Sequence, residues 1–249
     1  MLKRTLIASC LLLSSFAFAA DQANTPSVDT MQKTLVKSFP EIKVEHISPT
    51  PIANLFEVTS GANVFYVTAD GDYLLYGELL AIKNSEVTNL TEKTRQVFIK
   101  KALDGLDPKS LIIFPATGKT KATITIGTDV DCGYCRKLHE EVPALNAAGI
   151  TVRYLAFPRS PKGTPSYEKS AKIWCSADPK KTIDDTFKGA EVTGSADCKN
   201  PLEEHLAFVK SIGVSATPVI ILENGTVLPG YMPAPELIKI IDEQNAKPA

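Results

Sequence analysis

The sequence predicts an α+β protein with a small N-terminal α+β domain, a connecting helix and a larger C-terminal domain. Three observations lead to this prediction. Residues 42–82 contain β-branched and aromatic runs separated by turn residues, which is the pattern of short strands. Residues 89–106 are charged and carry only a thin apolar stripe, which is the pattern of a solvated helix. From residue 111 onwards, apolar strand-like runs alternate with helical stretches.

The N-terminal residues have the pattern of an export signal. Lys3 and Arg4 supply positive charge, residues 6–16 form an apolar run, and residues 17–19 form an A-x-A cleavage site. The run is short for a membrane span, which needs about 20 residues. Residues 7–10 weakly resemble a lipoprotein cleavage box, but the apolar run continues past them. We therefore expect residues 1–19 to be a cleaved signal peptide.

Cleavage would leave four cysteines, an even number that fits two disulfides in an oxidising compartment. They are Cys132, Cys135, Cys175 and Cys198. Loss of the two basic residues in the signal brings the formal net charge from −1 to about −3. This slightly negative net charge lacks the excess of basic residues that binding to nucleic acid or an anionic membrane requires. We therefore expect no nucleic-acid partner.

The predicted N-terminal domain covers residues 20–86. It begins with a helix that Pro40 ends, and strands follow with a bend at residues 60–63. Asp70-Gly71 is a signal for a two-residue hairpin turn. A domain of this size buries little surface alone, which favours stabilisation by dimerisation.

The connecting helix is predicted within residues 87–107. The pairs Asp104-Gly105 and Asp107-Pro108 end it. A mostly polar helix between two compact regions suits a connecting rod, but it suits equally a helix packed on one domain. The sequence leaves both interpretations open.

The predicted C-terminal domain covers residues 108–249. Its strand–helix–strand order, followed by a helical insertion, a hairpin and a final helix, is that of a thioredoxin fold with an insert. The strands are predicted at residues 111–114, 122–126, 151–157, 218–222 and 226–228. The helices are predicted at residues 134–148, within residues 165–208 with breaks, and at residues 235–244.

A Cys-Gly-Tyr-Cys motif, residues 132–135, lies between the second of these strands and its helix. A CxxC pair can form a reducible disulfide, supply half of a metal site or carry out thiol–disulfide exchange. The strand–CxxC–helix order is the thioredoxin arrangement, which favours exchange. It places Cys132 at a helix N-terminus, where unpaired N–H groups and the helix dipole stabilise a thiolate.

Thr217-Pro218 lies immediately before an apolar strand. In thioredoxin-like folds a Thr-Pro at this point has a cis peptide bond and lies beside the active-site cysteines. Cis bonds are essentially restricted to proline and are rare even there. The backbone of Thr217 is expected to pair with an extended substrate chain. The alternative is an ordinary proline that starts a strand.

Several long runs of the chain resemble the DsbC/DsbG family of bacterial periplasmic thiol:disulfide interchange proteins. They are residues 128–140, 149–159, 173–175, 213–218 and 228–231. The resemblance covers essentially the whole mature chain, more weakly before residue 90. It implies a V-shaped homodimer formed by cystatin-like N-terminal domains, with two thioredoxin domains facing a shared cleft and no cofactor. Gly133 indicates an isomerase, because the DsbG members of the family usually have Pro at this position.

The resemblance also implies an activity and its residues. It implies a periplasmic disulfide isomerase of misoxidised or unfolded exported proteins, with chaperone-like substrate binding and the membrane protein DsbD as reductant. Cys132 would attack the substrate disulfide and Cys135 would release a stalled substrate. Gly133 and Tyr134 are the active-site dipeptide, Thr217 and Pro218 face substrate, and Cys175 and Cys198 form a structural disulfide. A four-cysteine zinc site is the alternative for these cysteines, although no metal is expected.

Two positions depart from the family. Asp131 and Arg136 stand where members often have Thr and His. A carboxylate beside Cys132 should raise its pKa, while Arg136 and Lys137 should lower it. The hypothesis is that these effects offset and leave the thiol substantially ionised at neutral pH; the alternative is that both side chains are merely solvated. Ile126 stands where thioredoxin has its buried acid.

The remaining candidates carry weaker signals. His139 follows Cys135 by one turn and is interpreted as a helix-surface histidine rather than a metal ligand. His46 and His205 suggest no role, and Trp174 and Tyr231 are expected to pack in the core or cleft. Rival functions are a DsbG-like reductase of oxidised single cysteines, a monomeric oxidase and a chaperone with an idle CxxC.

Overall fold

The computed structural model describes residues 28–246, which form two domains and a helix between them. The predicted signal peptide, residues 1–19, lies outside the described residues. Within residues 28–246, no helix is both long enough and apolar enough to cross a membrane.

The N-terminal domain packs one helix on an antiparallel sheet. Helix α1 is amphipathic, and its buried Met31 and Leu35 lie one turn apart. They contact Val58, Phe65 and Val67 of the sheet to form a small core. The elements are α1 (Val28–Ser38), β1 (His46–Pro49), β2 (Leu55–Ser60), β3 (Asn63–Thr68) and β4 (Leu74–Leu75), and the strands lie in the order β1-β2-β3-β4.

The hairpin after β3 differs from its prediction. Asp70-Gly71 does not form a two-residue turn, because strand pairing ends at Val67 and Leu74. The Asp70 carboxylate instead accepts the Thr68 hydroxyl and the Asp72 N–H, and the Gly71 N–H donates to the Thr68 carbonyl at 2.8 Å. These local bonds replace ladder bonds and widen the loop.

A second hairpin was not predicted. It pairs β5 (Leu80–Lys83) with β6 (Glu86–Asn89) through a turn at Asn84-Ser85, where φ is 50° and 66°. Both turn residues are left-handed, as a type I′ turn requires, but neither is the glycine that usually marks this turn. The expected boundary at residue 87 therefore falls inside β6.

Helix α2 (Leu90–Asp104) begins where a side chain caps it. The Asn89 side chain accepts the Glu92 N–H at 2.9 Å. Ile99 and Leu103, on its C-terminal half, are buried in a cluster that also contains Phe208 of the C-terminal domain. Near its N-terminus, the Thr94 hydroxyl donates to Glu57 of β2 at 2.9 Å. Helix α2 thus packs on both domains and connects them. This excludes the interpretation of a helix that packs on one domain alone.

A glycine turn allows the C-terminal domain to approach α2 closely. Gly225 has φ +87°, and a Cβ there would lie 2.2 Å from the Gln96 carbonyl oxygen of α2. A residue with a side chain would clash with the helix backbone. The Gln96 side chain also donates to the Thr226 hydroxyl at 3.1 Å. The turn therefore fixes how the helix sits on this domain.

The C-terminal domain has a five-stranded sheet in the order β11-β10-β8-β9-β7, in which β8 and β9 are parallel and the other pairs antiparallel. A 3₁₀ turn, Pro108–Ser110, precedes it. The strands are β7 (Ile112–Phe114), β8 (Ala122–Thr128), β9 (Ile150–Ala156), β10 (Val219–Leu222) and β11 (Val227–Pro229). Alternate residues face opposite sides, so Ile220 belongs to one core cluster and Val219 to the other.

Six helices cover this sheet. They are α3 (Gly133–Glu140), α4 (Val142–Ala147), α5 (Pro165–Cys175), α6 (Pro179–Phe187), α7 (Leu202–Ser211) and α8 (Ala234–Ala246). The single helix predicted over residues 134–148 is interrupted at Glu141, and Pro143 occupies the first turn of the second piece. A disulfide joins Cys175 to Cys198, with 5.8 Å between the Cα atoms. It ties the irregular segment before α7 to the end of α5.

Candidate active site

The CxxC motif lies where β8 leads into α3. Cys132 is the N-cap residue of α3, with extended backbone angles (φ −92°, ψ 119°), and its N–H donates to the Asp129 carbonyl at 3.1 Å. Gly133, Tyr134 and Cys135 form the first turn of the helix. The unpaired N–H groups of a helix N-terminus therefore surround the Cys132 sulfur.

The Thr217–Pro218 peptide bond is cis and lies against Cys132. The Cys132 thiol donates to the Thr217 carbonyl, with 3.5 Å between sulfur and oxygen. Val219 follows Pro218 directly and pairs with Gly127 of β8, which brings this segment beside the motif. The structure thus brings together two elements that lie far apart in the sequence.

The surroundings of Cys132 favour its thiolate. Burial alone would raise the pKa of this thiol. Hydrogen bonds from Thr217, the Cys135 backbone and thiol and the Tyr134 backbone outweigh that effect, so the pKa lies below its ordinary value. The Thr217 hydroxyl is buried and has no hydrogen-bond partner within residues 28–246, so it is free to donate to an ionised Cys132 sulfur.

The pKa of Cys135 is shifted in the opposite direction, although both cysteines are buried. Its side chain lies in the core, and only 1% of the residue is exposed. Burial raises the pKa of the thiol to about 12, although the Asp129 N–H, 3.5 Å from the sulfur, and the Thr128 hydroxyl act in the other direction. Cys132 therefore has the properties of an attacking thiolate, and Cys135 those of a protonated inner thiol.

Asp131 and Arg136 do not determine the pKa of Cys132 in the way that the sequence suggested. Asp131 forms an ion pair with Lys169 of α5 at 2.7 Å, which offsets its charge. The pKa of Cys132 is lowered, but the largest contributions are burial, Thr217 and the backbone of α3, and neither Asp131 nor Arg136 is among them. Arg136 is exposed on the helix. Thr217 and the helix N-terminus, rather than two offsetting charges, favour the thiolate.

Asp129 organises the loop before Cys132, a role that the sequence interpretation missed. Its carboxylate is buried and accepts the Asp131 N–H, the Ser166 hydroxyl, and both the N–H and Nε–H of Arg159, at 2.9–3.1 Å. Burial would raise the pKa of this carboxyl, but these hydrogen bonds lower it. A carboxylate directly after a strand and three residues before a CxxC is the signal that could have indicated it.

His139 is not the surface histidine that was predicted. It is 7% exposed, its ring stacks on Phe187 with centroids 4.7 Å apart, and its two nitrogens contact Tyr154 and Asp184. The sequence spacing explains why His139 is buried, because it follows the buried Cys135 by four residues and so lies on the same helix face. His205 is also buried, between Ser110 and the Ala156 N–H.

The tyrosine of the motif forms an aromatic pair with a half-buried tyrosine beside it. Tyr134 is 65% exposed and stacks on Tyr231, with centroids 6.5 Å apart. The Lys137 ammonium lies 4.4 Å from the Tyr231 ring centroid, and the Tyr231 hydroxyl donates to Glu141 at 2.7 Å. Tyr231 therefore packs beside the site as expected, while Trp174 packs against the main core.

The structure gives no support to a zinc site. Cys175 and Cys198 are bonded to each other, whereas Cys132 and Cys135 are free thiols. Across residues 28–246, no group of three or more His, Cys, Asp or Glu side chains is placed to hold a metal ion. The chemistry that this arrangement supports is that of the sulfur atoms themselves.

Comparison with known proteins agrees with this geometry. Residues 16–92 match the N-terminal domain family of disulfide bond isomerases, and residues 108–245 match the thioredoxin-like domain family. The thiol:disulfide interchange protein DsbC of Escherichia coli K12 is 38% identical over 232 residues, which cover 93% of this chain and 92% of that protein. DsbC of Haemophilus influenzae is 28% identical over 221 residues, covering 89% and 93%.

A solved structure extends the comparison. The disulfide interchange protein of Neisseria gonorrhoeae superimposes with a TM-score of 0.51 at 26% identity, covering 57% of this chain and 100% of the other. Fold, site and both domain matches agree with the resemblance found in the sequence. The chain belongs to the DsbC family of thiol:disulfide interchange proteins.

Proposed function

We infer that this protein is a thiol:disulfide isomerase that rearranges incorrect disulfides in exported proteins. The observation that carries the inference is the contrast between the two cysteines of one motif. Cys132 has a lowered pKa at a helix N-terminus, and Cys135 is buried with a pKa of about 12. Exchange needs one ready nucleophile and one thiol held in reserve.

In the first step the Cys132 thiolate attacks a substrate disulfide. A bond forms between Cys132 and one substrate sulfur, the substrate disulfide breaks, and the other substrate sulfur leaves as a thiolate. That thiolate attacks another disulfide of the substrate, which breaks and frees a different substrate thiolate. A substrate thiolate then attacks the substrate sulfur of the mixed disulfide, a new substrate disulfide forms, and Cys132 leaves as its thiolate. The net reaction moves disulfides without oxidising or reducing the substrate.

Cys135 provides release when a substrate stalls. Its sulfur attacks Cys132, which forms the Cys132–Cys135 disulfide and frees a reduced substrate. Two electrons have then passed to the substrate, so an isomerase must be reduced again before it can act. We propose DsbD as the electron donor and the periplasm as the compartment; the signal-like residues 1–19 and the Cys175–Cys198 disulfide support the latter.

Substrate contact is proposed at Thr217 and Pro218. The Thr217 carbonyl lies 3.5 Å from the Cys132 sulfur, so an extended chain that pairs with this backbone would place its own sulfur close to the nucleophile. The exposed Tyr134 ring offers an apolar surface beside it. These contacts suit unfolded chains, which expose backbone and apolar side chains together.

Homodimerisation is proposed through the N-terminal domain, residues 20–86. β4 is an edge strand of its sheet, and large apolar side chains are exposed on it, directly beside it and on the hairpin that follows in the sequence. They are Tyr73, Leu74, Leu75, Tyr76, Leu80, Ile82 and Val87. An exposed apolar edge of this kind is stable when another chain covers it. Two catalytic domains would then face one cleft.

Reactivation of a scrambled protein with several disulfides tests the activity. We expect Cys132→Ala to abolish reactivation, and Cys135→Ala to retain part of it because rearrangement needs only Cys132. Full reactivation by Cys132→Ala would leave only a chaperone role. A wild-type protein that reduces oxidised single cysteines but does not reactivate scrambled protein would indicate the DsbG-like reductase.

Sedimentation of the full mature chain tests the dimer. Ile82→Lys places a charge on a side chain that is 74% exposed, so its fold should be unaffected while association weakens. Val97→Lys, at a position 72% exposed on α2, is the matched control and should leave a dimer intact. A wild-type monomer, or equal weakening by both variants, would contradict the proposed interface.

A further inference from the structure

Three polar side chains, His139 on the buried face of the CxxC helix, Tyr154 of β9 and Asp184 of α6, form a hydrogen-bonded chain. The His139 Nδ1 atom is 3.0 Å from the Tyr154 phenol oxygen, and the His139 Nε2 atom is 3.1 Å from Asp184 Oδ1. Tyr154 is fully buried, His139 nearly so, and the Asp184 side chain is one-third exposed. Isomerisation through Cys132 alone makes no use of these three groups.

Hydrogen-bond chemistry fixes the direction of this chain. Burial would raise the pKa of Asp184, but hydrogen bonds from Lys188 and His139 lower it, so the carboxylate is ionised and can only accept. His139 Nε2–H therefore donates to Asp184. The Nδ1 atom of a neutral ring is then an acceptor, and the Tyr154 O–H donates to it. Burial lowers the pKa of His139, which keeps the ring neutral at pH 7.

Tyr154 connects this chain to the inner cysteine. In the parallel pair β8–β9 it lies opposite Ile126, the position of the buried acid in thioredoxin, and both side chains share one core cluster with Cys135. His139, which contacts the Tyr154 oxygen, follows Cys135 by four residues on α3, so both project from the same buried face of that helix toward Tyr154. Since its hydrogen is directed to His139, the phenol oxygen keeps a lone pair for another donor.

The far end of the chain reaches solvent. A cleft of about 660 Å³ is lined by His139 and Asp184, together with Arg136, Glu140 and Lys188. Around His139, the negative groups are Asp184 and Glu140, and the positive one is Lys188. Phe114 packs edge-on against the His139 ring, with centroids 5.4 Å apart, and the Lys180 ammonium lies 5.1 Å from the Phe114 centroid. A proton on His139 is thus paired with Asp184 and can exchange with water at the cleft.

We propose that Tyr154 and His139 relay the proton of Cys135 when that cysteine resolves a mixed disulfide, with Asp184 positioning His139. The proposal rests on the proposed function. It answers a requirement of that mechanism, since burial raises the pKa of Cys135 and the thiol must lose its proton before it can attack. Ile126 is apolar and cannot accept that proton.

The Cys135 S–H bond breaks and its proton passes to the Tyr154 oxygen, while the Tyr154 proton passes to His139 Nδ1. The Cys135–Cys132 bond forms, the bond from Cys132 to the substrate breaks, and the substrate sulfur leaves with the electron pair. The CxxC pair is oxidised and the substrate sulfur is reduced. The imidazolium beside Asp184 holds the proton, or loses it at the cleft, until Cys135 is reduced again.

Single-turnover kinetics test the relay. Reduced enzyme is mixed with glutathione disulfide and quenched with acid, and mass spectrometry follows the glutathione adduct of Cys132 and its conversion to the Cys132–Cys135 disulfide. We expect Tyr154→Phe and His139→Gln to slow that conversion at least about tenfold at pH 7, the loss of one proton-transfer group. The deficit should shrink as pH rises, because hydroxide then removes the proton.

Controls separate chemistry from packing. Tyr167→Phe removes the hydroxyl of another buried tyrosine, which donates to Glu203, and it should leave the conversion rate unchanged. The first attack is measured in a Cys135→Ala background with and without Tyr154→Phe. The relay is refuted if Tyr154→Phe and His139→Gln resolve at the wild-type rate with the wild-type pH profile. It is equally refuted if the first attack slows by the same factor as resolution.

Nitrogen NMR of the reduced wild-type protein provides a second test. The relay requires the Nε2–H tautomer of His139 at pH 7, and detection of the Nδ1–H tautomer would overturn it, because Tyr154 could not then donate to that atom. A wild-type enzyme that never forms a mixed disulfide at Cys132 would instead refute the proposed function itself. The two failures are therefore distinguishable.

Discussion

Acid should destabilise the C-terminal domain through His205. Its Nδ1 atom accepts the Ala156 N–H at 3.1 Å and its Nε2 atom contacts the Ser110 hydroxyl at 3.0 Å. A proton on Nδ1 would face that N–H and break the bond, and the ring is fully buried. Burial lowers the pKa of His205 to about 4. In the unfolded chain the same group has an ordinary pKa of about 6.5.

The sign and size of the effect follow from proton linkage. Between the two pKa values the unfolded chain binds more protons than the folded domain, so stability falls as pH falls. The loss begins near pH 6.5 and is complete below about pH 4. With these values the free energy of unfolding drops by about 2 kcal/mol between pH 7.5 and pH 5, and by about 3 kcal/mol in full.

Urea unfolding at pH 7.5, 6 and 5 measures this loss. The fluorescence of Trp174, the single tryptophan of the chain, reports on the correct domain, because its ring centroid lies 6.1 Å from that of His205. His205→Gln removes the titration, and the pH dependence should flatten by about 2 kcal/mol over this range. His46→Gln, at an exposed position on β1, is the control. A His205→Gln variant whose stability falls in parallel with wild type would refute the reasoning.

Three further predictions concern the site and its frame. Replacing both Cys175 and Cys198 by Ala should lower the free energy of unfolding by about 3 kcal/mol, given a sequence separation of 23, and urea unfolding checks this. Thr217→Val removes the hydroxyl beside the thiolate, so the pKa of Cys132 should rise and its alkylation by iodoacetamide should slow several-fold at neutral pH. Asp129→Asn places an amide N–H group opposite the donors that the carboxylate now accepts, so the free energy of unfolding should fall by about 2 kcal/mol in the same assay. An unchanged midpoint would show that Asp129 does not organise the loop.

The order of elements and the motif could be predicted because their signals are local. Asn89 caps α2 within one residue of the predicted start, and Cys132 lies at the helix N-terminus that the strand–CxxC–helix pattern implied. Apolar runs of one strand length also locate the sheet of the C-terminal domain. Each of these features depends on residues within one turn or strand of each other.

The features that were missed depend on contacts between distant elements. The packing of α2 requires Phe208 and the turn at Gly225, which lie more than a hundred residues away. The partners of His139 come from β9 and α6, so sequence spacing could indicate its buried face but not its hydrogen bonds. The Asn84-Ser85 turn was missed for a different reason, since its left-handed residues are not glycines.

The environment of Cys135 bears on why this site should isomerise rather than reduce. Reduction requires Cys135 to attack before the substrate thiol does, and burial raises the pKa of Cys135, which favours its protonated form at neutral pH. A mixed disulfide at Cys132 therefore persists long enough for substrate thiols to attack it. A relay through Tyr154 and His139 supplies release without acidifying Cys135 permanently, because the proton moves only when the sulfur attacks. Cys135 then releases stalled substrates slowly. The ratio of rearrangement to reduction depends on how readily Tyr154 and His139 accept the Cys135 proton.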